Sequence, residues 1–591
     1  MLASLICSSI RRKQRIMFFR QFYEPKLAQY SYIIGCQATG EALVVDPLRD
    51  VEPYVRLVQD AGLRITHVTE THIHADFLSG VRALAEAVGA QLLLSDAGGD
   101  DWQYAFSHEG LQEGDVFMVG NIRIEVLHTP GHTPEHLSFL VTDTPAGDDP
   151  GMILTGDFVF VGDVGRPDLL DLVSPEPGGS EDMARRMFAS LRRFRTLPDH
   201  LLVWPGHGAG SACGRSLGAS PASTVGYEKI TNWALRETDE EAFVLRLLTE
   251  QPLPPRYFRT MKLWNRSGEK LGGSARMPQR LSIQELESLR GQGAALVDAR
   301  DKFAFAEGHI PGSINIPDGE LFTTWAGWIL DPDEPFILLA SETRAADLAT
   351  ALYRIGLDGV AGYFDDIHYW VQMGHELAQL PQMDARELAD ALATKQAVAV
   401  DVREPYELKS GFIPGAIAAP AGYLVQGSRQ PDTHRRLAFY CGRGDRSVIL
   451  ASYLRSRGFD NVSSLREGLS GWHAAGLTLE TPETDVDFEQ IDVREAYRRF
   501  FDSGLALIDV REPEDYQRGH VPGSRHFPLE DFVDEQVIET LAGLGPLLLI
   551  CNTGNRSRMA AEWLLEEGFE DLANVEGGVV AWQLHHLPWR K

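Results

Sequence analysis

The stretch THIHADF, residues 71–77, directly follows an apolar, strand-like run from Leu63 to Val68. It contains three potential metal ligands, His72, His74 and Asp76, within five residues. A loop at the end of a strand can hold such side chains around one ion while the sheet keeps them in place. This stretch therefore predicts a metal centre built on a sheet in the N-terminal part of the chain.

Three more metal-compatible side chains follow at ordered distances, each at the end of an apolar segment. They are His132 in TPGHT, Asp157 in LTGD and His207 in WPGHG. Imidazole and carboxylate groups are ligands that suit Zn and Fe. The pattern predicts one metal centre assembled from several strand-end loops.

Length and composition limit the classes of function. A chain of 591 residues is too long for a single core and predicts roughly three to five domains. Hydrophobic residues make up 44% and charged residues 24%, and no apolar run reaches the roughly 18 residues that a membrane span needs. The formal charge of −29 argues against a broad phosphate-binding surface. We expect a soluble protein that binds neither nucleic acid nor membrane.

The cysteines and the N-terminus bear on the cellular compartment. There are five widely spaced cysteines, Cys7, Cys36, Cys213, Cys441 and Cys551. An odd number at wide spacing does not resemble a disulfide framework and favours the reducing cytoplasm. Residues 1–16 place an apolar run before a basic cluster, the reverse of a secretory signal; we interpret them as a disordered extension, with organelle import as the alternative and Met17 as a candidate start. Cys213 is interpreted as a packing residue.

Three related blocks occur beyond Gly273. They are DARDKFAFAEGHIPGSINIP from Asp298, DVREPYELKSGFIPGAIAAP from Asp401 and DVREPEDYQRGHVPGSRHFP from Asp509. Each leads through an apolar strand into a short loop and a helix. Strands that alternate with amphipathic helices predict three small α/β domains with mainly parallel sheets. A segment rich in Pro, Gly and Ser predicts that the metal domain ends in a linker near residues 268–280.

The repeats keep a constant register around one position. The aligned residues are Leu339, Cys441 and Cys551, each followed five residues later by Arg344, Arg446 or Arg556 and 31 residues later by Trp370, Trp472 or Trp582. A cysteine between a buried strand and a helix N-terminus lies where backbone N–H groups favour an anion, so we expect a nucleophilic thiol. Leu339 has a hydrocarbon side chain and offers no nucleophile. The first repeat is therefore predicted to be an inactive spacer or packing partner in which Arg344 is a vestige.

Two further pairs recur near the strand ends of the active repeats. Asp401 precedes Arg403, and Asp509 precedes Arg511, by two residues. We predict that these pairs stabilise the fold and take no part in catalysis.

The first 270 or so residues resemble the metallo-β-lactamase superfamily, which implies an αββα sandwich and an HxHxDH signature. At the sixth position of that signature this chain has Phe77, where dinuclear members have a histidine that helps to bind a second ion. A phenyl ring has no lone pair to donate, so a two-metal hydrolase site is disfavoured. The resemblance is closest to the persulfide dioxygenase branch and implies one Fe(II) held by His72, His132 and Asp157, with positions open for a thiolate-like substrate and O₂.

The same resemblance gives roles to neighbouring residues. His74, Asp76 and His207 are implied to support the ligands or position substrate, or to be structural remnants of a dinuclear site. Arg166, in FVGDVGRPDL, is implied to bind the anionic end of a substrate, because a guanidinium fork suits a carboxylate or a sulfur oxyanion. A surface salt bridge is the alternative for Arg166.

The three repeats resemble rhodanese domains, in which the loop cysteine carries a sulfane sulfur as a persulfide. The loops CGRGDR and CNTGNR are CxxxxR, one residue shorter than the loops of related phosphatases and arsenate reductases, which favours sulfur transfer over phosphate chemistry. The resemblance implies that Cys441 and Cys551, with Arg446 and Arg556, are the catalytic residues of these units.

Together these features predict an α/β multidomain protein, with an N-terminal metallo-β-lactamase αββα sandwich followed by three rhodanese-like α/β domains. The predicted domains are 17–270, 281–380, 382–480 and 486–591. The resemblance implies oxidation of the sulfane sulfur of a low-molecular-weight thiol persulfide to sulfite with O₂, coupled to sulfite/thiosulfate interconversion in sulfide detoxification.

Several alternatives stay open at this point. One is a metal-dependent thioester hydrolase of the glyoxalase II type, with Zn in place of Fe(II), fused to sulfurtransferase domains. Another is a sulfur carrier or sensor whose metal domain only binds. The identity of the thiol, the direction of sulfur flow, the relative roles of Cys441 and Cys551, and the oligomeric state, including a homo-oligomer, are not determined by the sequence.

Overall fold

The structure is a computed structural model. It describes residues 17–99, 102–170, 179–211, 213–214, 217–248, 251, 254–270, 275–426, 435–481, 488–511, 513–552, 554–585 and 587–590. The predicted N-terminal extension, residues 1–16, lies outside these ranges. Within them, every helix is too short or too polar to traverse a lipid bilayer.

The N-terminal domain begins with a six-stranded sheet whose strands follow one another in chain order. Its elements are β1 (Met17–Glu24), β2 (Gln29–Cys36), β3 (Glu41–Val45), α1 (Glu52–Asp60), β4 (Arg64–Thr69), α2 (Val81–Val88), β5 (Gln91–Ser95) and β6 (Glu109–Leu111). The first three strands pair antiparallel, and β3 to β6 pair parallel.

A second six-stranded sheet has the order β12-β11-β10-β9-β8-β7. Its strands and the helices that follow are β7 (Val116–Val119), β8 (Ile122–His128), β9 (Leu137–Asp143), β10 (Met152–Gly156), α3 (Gly179–Phe194), β11 (Leu202–Pro205), β12 (Ser223–Thr224), α4 (Val225–Thr231), α5 (Trp233–Arg236), α6 (Glu240–Leu248) and α7 (Tyr257–Ser267). Only β10 and β11 pair parallel in this sheet.

The two sheets pack face to face because both sides of their strands are apolar. Leu43 of β3 shares a buried cluster with Ile124 and Phe139 of the second sheet, whereas the adjacent Val44 belongs to the core beneath α1 and α2. Side chains alternate between the faces of a strand, so one face meets a sheet and the other a helix layer. Burial of each such side chain contributes roughly 1.5–3 kcal/mol. The predicted αββα sandwich is confirmed.

The first repeat unit is a four-stranded sheet of order β14-β13-β15-β16. Its elements are α8 (Ile283–Gly291), β13 (Ala295–Asp298), α9 (Lys302–Glu307), β14 (Ile314–Asn315), α10 (Phe322–Ile329), β15 (Phe336–Leu339), α11 (Glu342–Arg354), β16 (Val360–Phe364) and α12 (Ile367–Gln372). All of its strand pairs are parallel.

The second unit has five parallel strands in the order β17-β21-β20-β18-β19. Its elements are β17 (Gln382–Met383), α13 (Ala385–Ala393), β18 (Ala397–Asp401), β19 (Ile417–Ala418), α14 (Ala421–Gln426), β20 (Arg436–Tyr440), α15 (Asp445–Ser456), β21 (Val462–Leu465) and α16 (Gly468–Ala474).

The third unit repeats that order as β22-β26-β25-β23-β24, again with all strands parallel. Its elements are β22 (Glu489–Ile491), α17 (Val493–Tyr497), β23 (Ala506–Asp509), α18 (Pro513–Arg518), β24 (Arg525–His526), α19 (Glu535–Ala542), β25 (Leu547–Ile550), α20 (Asn555–Glu566), β26 (Leu572–Val575) and α21 (Gly578–Leu584). The prediction of three α/β units with parallel sheets is confirmed.

The predicted Asp–Arg ion pairs are present and buried in the second and third units. Arg403 Nη2 lies 2.7 Å from Asp401 Oδ2, and Arg511 Nη2 lies 2.7 Å from Asp509 Oδ2. Arg403 also donates to the carbonyl of Gly411 at 2.7 Å. These pairs tie the end of the strand to the chain that follows it.

The first repeat unit is attached to the metal domain through charged and backbone contacts. Arg354, the last residue of α11, forms ion pairs with Glu24 and with Asp50, the latter at 2.7 Å. Its carbonyl accepts a hydrogen bond from Leu78 N at 2.7 Å. Arg49 of the metal domain pairs with Asp358 of the repeat unit at 2.6 Å. The chain directly after THIHADF is thus bonded to the first repeat.

The second repeat unit packs against the first. Lys302 Nζ donates to Arg443 O at 2.6 Å and to Asp445 Oδ1 at 2.8 Å. Asn315 N donates to Ser452 Oγ at 2.9 Å. The first unit therefore contacts both the metal domain and the cysteine loop of the second unit.

Candidate metal centre and cysteine loops

Three buried side chains converge where strands of the N-terminal sandwich end. The ligand atoms of His72, His132 and Asp157 all lie within 4.8 Å of one another. Asp157 Oδ2 is 3.9 Å from His72 Nε2 and 3.7 Å from His132 Nε2. His72 follows β4, His132 follows β8 and Asp157 follows β10, so the sheets bring together residues that are far apart in sequence.

Hydrogen bonds orient both imidazoles toward the carboxylate. His72 Nδ1 lies 3.0 Å from Thr71 Oγ1, and His132 Nδ1 donates to the carbonyl of Arg166 at 2.9 Å. When one ring nitrogen is engaged in this way, the other presents a lone pair to a metal. Neither carboxylate oxygen of Asp157 has a hydrogen-bond partner among the described residues. A buried carboxylate without partners fits a metal ligand, because a cation would satisfy it.

The protonation of the triad also suits metal binding. Burial lowers the pKa of His72 and of His132 well below the ordinary range, with the positive charges of neighbouring groups adding to the effect. Both rings are therefore neutral, which is the form that binds metals. Burial raises the pKa of Asp157 to about 6. The two histidines and the carboxylate can hold one divalent ion near neutral pH.

A second group of potential ligands lies beside the first. The ligand atoms of Asp76, His207 and Cys213 also lie within 4.8 Å of one another. His207 Nε2 is 3.4 Å from Asp76 Oδ2 and 3.5 Å from Asp157 Oδ2. Cys213 also belongs to a buried apolar cluster, so its interpretation as a packing residue stays a prediction beside this possible second position.

His74 takes a different place. Its Nε2 lies 3.2 Å from Asp46 Oδ1, and its ring is 4.3 Å from that of Phe77, which is fully buried. Although burial acts in the opposite direction, the hydrogen bond and charge of Asp46 raise the pKa of His74 to about 9. His74 is thus directed to a carboxylate outside both ligand groups.

Helix α7 holds the THIHADF loop through one side chain. Asn265 Nδ2 donates to the carbonyls of His74 and Phe77, both at 2.8 Å, and its Oδ1 accepts from Ser79 N at 2.9 Å. The Pro- and Gly-rich composition of this segment indicated a domain end, so the sequence analysis missed the residue. Nothing in the local pattern distinguishes Asn265 from a solvated helix residue.

Lys262, one turn earlier on α7, is a buried cation that the sequence analysis also missed. It is only 3% exposed, and its Nζ has no hydrogen-bond partner among the described residues. The ammonium lies 4.6 Å from the ring centroid of Trp102. Burial lowers the pKa of Lys262 to about 8, although Glu135 opposes this. Its charge acts on His132 and Asp157, so it can stabilise an anion bound at the triad.

Two residues that follow His132 support the ligands. Asp157 N donates to His136 Nε2 at 3.1 Å, and His136 Nδ1 lies 2.8 Å from Thr129 Oγ1. Glu135 Oε1 accepts from Ile73 N at 2.8 Å. The sequence TPGHTPEH carried a signal for His136, because it repeats a histidine four residues after His132.

Arg166 is buried, with 1% of its surface exposed. Its Nε and Nη2 contact the two carboxylate oxygens of Asp168 at 2.9 and 2.5 Å. The ion pair joins a buried guanidinium to a carboxylate that is 25% exposed, and the role of Arg166 in binding substrate stays a prediction. The backbone of Arg166 also positions His132, as described above.

The two cysteine loops have the same geometry. Cys441 directly follows β20 and Cys551 directly follows β25, and both are buried. Gly444 N donates to Cys441 Sγ at 3.2 Å, and Gly554 N donates to Cys551 Sγ at 3.1 Å. Both glycines have φ of 92°, a left-handed conformation that favours glycine. Each loop thus directs the backbone N–H of its left-handed glycine to the sulfur.

The arginine of the second unit is held beside its cysteine loop. Arg446 forms two bonds to the carboxylate of Glu407, at 2.6 and 2.7 Å. Burial raises the pKa of the nearby Glu404 to about 7, while the charges of Arg446 and Arg166 oppose the rise. The pKa of Glu404 is thus affected by one arginine beside the cysteine loop and by one arginine of the metal domain. Arg556, the aligned residue of the third unit, is buried.

The first unit has a different loop. Leu339 ends β15, and α11 begins at Glu342, the position that aligns with Gly444 and Gly554. Arg344 forms ion pairs with Asp318 and, at 3.3 Å, with Asp347. This loop has neither a sulfur acceptor nor the left-handed glycine.

Fold and site together define a metal-binding αββα sandwich joined to three parallel α/β units, two of which carry a cysteine loop. The metallo-beta-lactamase superfamily matches residues 25–207, and the rhodanese-like domain matches residues 282–372, 384–475 and 492–585. The chain belongs to the metallo-beta-lactamase superfamily, and three rhodanese-like domains follow its metal domain.

Individual relatives are similar to parts of this chain. A crystal structure of a metallo-beta-lactamase from Staphylococcus aureus subsp. aureus COL is 42% identical, covers 60% of this chain and 99% of its own, and has a TM-score of 0.54. The mitochondrial persulfide dioxygenase ETHE1 of Bos taurus is 29% identical over 32% of this chain and 68% of its own length. A hydroxyacylglutathione hydrolase of Polaromonas sp. is 34% identical over 30% of this chain and 61% of its own length.

Proposed function

We propose that this protein oxidises the terminal sulfur of a low-molecular-weight thiol persulfide with O₂ at a mononuclear non-haem iron, and that its rhodanese-like domains exchange sulfur with the product. The reaction is R–S–SH + O₂ + H₂O → R–SH + SO₃²⁻ + 2 H⁺. The similarity to a persulfide dioxygenase and the presence of rhodanese-like domains in one chain support sulfur chemistry at both kinds of site.

The observation that carries the proposal is the buried triad of His72, His132 and Asp157 with its unpartnered carboxylate. Two imidazoles and one carboxylate are the ligand set of non-haem Fe(II) oxygenases. When bound there, Fe(II) supplies open coordination positions and the redox chemistry that O₂ requires.

The protein's own residues prepare the site for an anionic substrate. Thr71 and the carbonyl of Arg166 fix the two imidazoles, and the Lys262 ammonium provides positive charge that no described carboxylate neutralises by direct contact. A persulfide anion and a sulfite product both gain from such a charge in a water-poor environment.

The cysteine loops supply the second step. A persulfide on Cys441 or Cys551 transfers its outer sulfur to sulfite: Cys–S–S⁻ + SO₃²⁻ → Cys–S⁻ + S₂O₃²⁻. The N–H groups of Gly444 and Gly554 stabilise the thiolate that leaves.

The buried free cysteines support a reducing compartment, and we infer the cytoplasm.

A second candidate function is hydrolysis of a thioester such as an acylglutathione by a two-zinc site. Phe77 removes one ligand of the usual second site, but the group formed by Asp76, His207 and Cys213 offers another ligand set beside Asp157. The similarity to a hydroxyacylglutathione hydrolase is the reason to test this alternative beside the proposed function.

Metal content and oxygen uptake distinguish the two functions. The protein is purified anaerobically, its metals are quantified, and O₂ consumption is followed with glutathione, coenzyme A and inorganic persulfides. We expect one iron per chain and persulfide-dependent O₂ uptake that Asp157→Ala abolishes. Two zinc ions per chain with thioester turnover and no O₂ uptake would overturn the proposal.

The division of labour between the domains is tested with Cys441→Ser and Cys551→Ser. We expect each substitution to reduce sulfur transfer from thiosulfate to an acceptor while sulfite formation from persulfide continues. Equal loss of both activities in either variant contradicts separate sites.

A further inference from the structure

The metal domain and the first rhodanese-like unit enclose a cavity that reaches the second ligand group. The cavity volume is about 40 Å³, and the cavity opens to solvent on one side. Ala28, Asp76, Ser211 and Tyr257 line it from the metal domain, and Leu321 and Thr324 of α10 line it from the repeat unit.

The inner end of this cavity is chemically unsatisfied. Asp76 is 4% exposed, and neither of its carboxylate oxygens has a hydrogen-bond partner among the described residues. Asp76 Oδ2 lies 3.4 Å from His207 Nε2, which in turn lies 3.5 Å from Asp157 Oδ2. The cavity therefore leads from solvent to the neighbourhood of the triad.

The outer wall belongs to a unit that has no nucleophile. Asp318, which follows β14, pairs with Lys26 of the metal domain at 2.7 Å and also with Arg344 of α11. Thr323 Oγ1 donates to the carbonyl of Lys26 at 2.5 Å. In the second and third units this edge of the sheet carries a cysteine loop. In the first unit the same edge is bonded to Lys26, which belongs to the turn after β1 that lines the cavity.

Helix α10, which forms the outer wall of the cavity, packs closely against Tyr257 of α7 in the metal domain. A Cβ added to Gly327 would lie 2.2 Å from Tyr257 Cδ1, so only glycine permits the approach of α10 to α7. Tyr257 lines the cavity from the other side of that contact.

We propose that the first rhodanese-like unit, which has Leu339 in place of a cysteine, forms the wall of the substrate entrance of the metal centre, and that the cavity takes up the part of the thiol carrier next to the reacting sulfur while the rest of the carrier lies toward its opening. Leu321 and Thr324 are then residues that determine which carrier is accepted. The inference rests on the proposed function, since it assigns the substrate's non-reacting part to a place beside the triad.

The test fills the cavity and compares two substrates of different size. Thr324→Trp narrows the space, and Leu321→Trp provides a second variant at a position that already tolerates exposure. Val371→Trp, at an exposed position of α12 on the same unit, is the matched control. The substrates are inorganic hydrogen persulfide, which has no carrier, and whichever of glutathione persulfide and coenzyme A persulfide the wild type uses better.

We expect Thr324→Trp and Leu321→Trp to lower kcat/KM for the carrier persulfide at least tenfold relative to inorganic persulfide, mainly through KM, with unchanged iron content. Val371→Trp should match the wild type. An unchanged ratio, or an equal loss for both substrates, overturns the inference, because general damage does not discriminate by size.

A binding measurement separates this inference from the proposed function. Isothermal titration calorimetry of the metal-free protein uses glutathione and coenzyme A as probes. We expect one of them to bind the wild type and the Val371→Trp control at least tenfold more tightly than Thr324→Trp. If the wild type consumes no O₂ with any persulfide, the proposed function fails, and the calorimetry still decides whether the cavity takes a thiol. Binding of neither thiol, or equal binding by all variants, overturns the inference.

Discussion

The protonation of Asp157 controls how the triad binds metal. Burial raises its pKa to about 6, while His72 and His132 are already neutral. Since a ligand must be deprotonated to bind, only the carboxylate competes with protons for the metal near neutral pH. We predict that Fe(II) or Zn²⁺ affinity of the metal-free protein is nearly constant above about pH 7 and falls about tenfold per pH unit below about 6.

Anaerobic competition titrations between pH 5 and 8 check this dependence. Asp157→Asn, which cannot ionise, should bind weakly at every pH in the range. Constant affinity of the wild type down to pH 5 would show that Asp157 is not a ligand.

Lys262 carries a buried positive charge. This charge can stabilise an anion bound at the triad, but its burial lowers the free energy of unfolding. A pKa lowered from 10.5 to about 8 corresponds to roughly 3 kcal/mol of destabilisation. The unfolded lysine keeps the higher pKa, so the unfolded chain binds more protons between about pH 8 and 10.5 and stability rises with pH there. The destabilisation of the folded protein by the Lys262 charge is therefore fully present below pH 8.

We therefore predict that Lys262→Met stabilises the metal-free protein at pH 7 by up to roughly 3 kcal/mol and that this gain disappears near pH 10.5. Calorimetric unfolding at the two pH values measures the difference. Lys270 is the matched control because it is exposed and lies 4.1 Å over the ring of Trp264; Lys270→Met should change stability by less than about 1 kcal/mol. Destabilisation by Lys262→Met at pH 7 would mean that Trp102 and Glu135 fully compensate the buried charge.

The strand-loop-helix element of the first repeat differs from the other two at more than the position of Leu339, which aligns with Cys441 and Cys551. Gly444 and Gly554 adopt φ of 92° and donate to sulfur, whereas the aligned Glu342 is the first residue of α11. Arg344 is drawn into ion pairs with Asp318 and Asp347. A thiol alone does not recreate the anion site, because the N–H that contacts sulfur depends on the left-handed glycine.

We predict that Leu339→Cys does not create a working sulfurtransferase. The substitution is made in a Cys441→Ser, Cys551→Ser background and assayed for sulfur transfer from thiosulfate to cyanide. The expected rate equals that of the background, and restoring Cys441 serves as the positive control. Recovery of activity by Leu339→Cys would show that the missing nucleophile is the only defect of the first unit.

Helix α7 shows where an element can be misread. Its segment combines proline, glycine and basic residues, which indicated a domain end, and the helix does lie at that end. Only its contacts show that Asn265 holds the THIHADF loop and that Lys262 lies beside Trp102. The Asn265 contacts join positions 191 and 188 residues apart, a distance over which no periodicity or spacing rule operates.

The metal domain and the first repeat unit are joined as one body by partly buried ions. Arg354 pairs with Glu24 and Asp50, and all three side chains are largely shielded from solvent. Removing one partner leaves uncompensated buried charges, which costs about 3–5 kcal/mol. We predict that Arg354→Ala destabilises the protein by this amount and lowers its retained iron, because Arg354 lies where the first unit bonds to Leu78.

Denaturant unfolding and metal quantification measure both effects. Arg280→Ala is the matched control, since its ion pair with Asp365 is 61% exposed at the arginine and should contribute at most about 1 kcal/mol. Equal stability of Arg354→Ala and the control would show that the buried ion pairs do not stabilise the protein. Unchanged iron content of Arg354→Ala would show that the interface between the two domains is not coupled to the metal site.

Local patterns in the chain were sufficient for the three parallel units and for the alignment of Leu339 with two cysteines, whereas the αββα sandwich was implied by the resemblance to the metallo-β-lactamase superfamily. Strand-end ligands, alternating elements and repeated spacing are short-range signals, and each follows from backbone geometry that neighbouring residues impose. The convergence of Cys213 with Asp76 and His207, the contacts of Asn265 and Lys262 with the metal site, and the cavity shared with the first repeat unit came from packing. They depend on how separate cores meet, and no residue of the sequence carries that information without its distant neighbours.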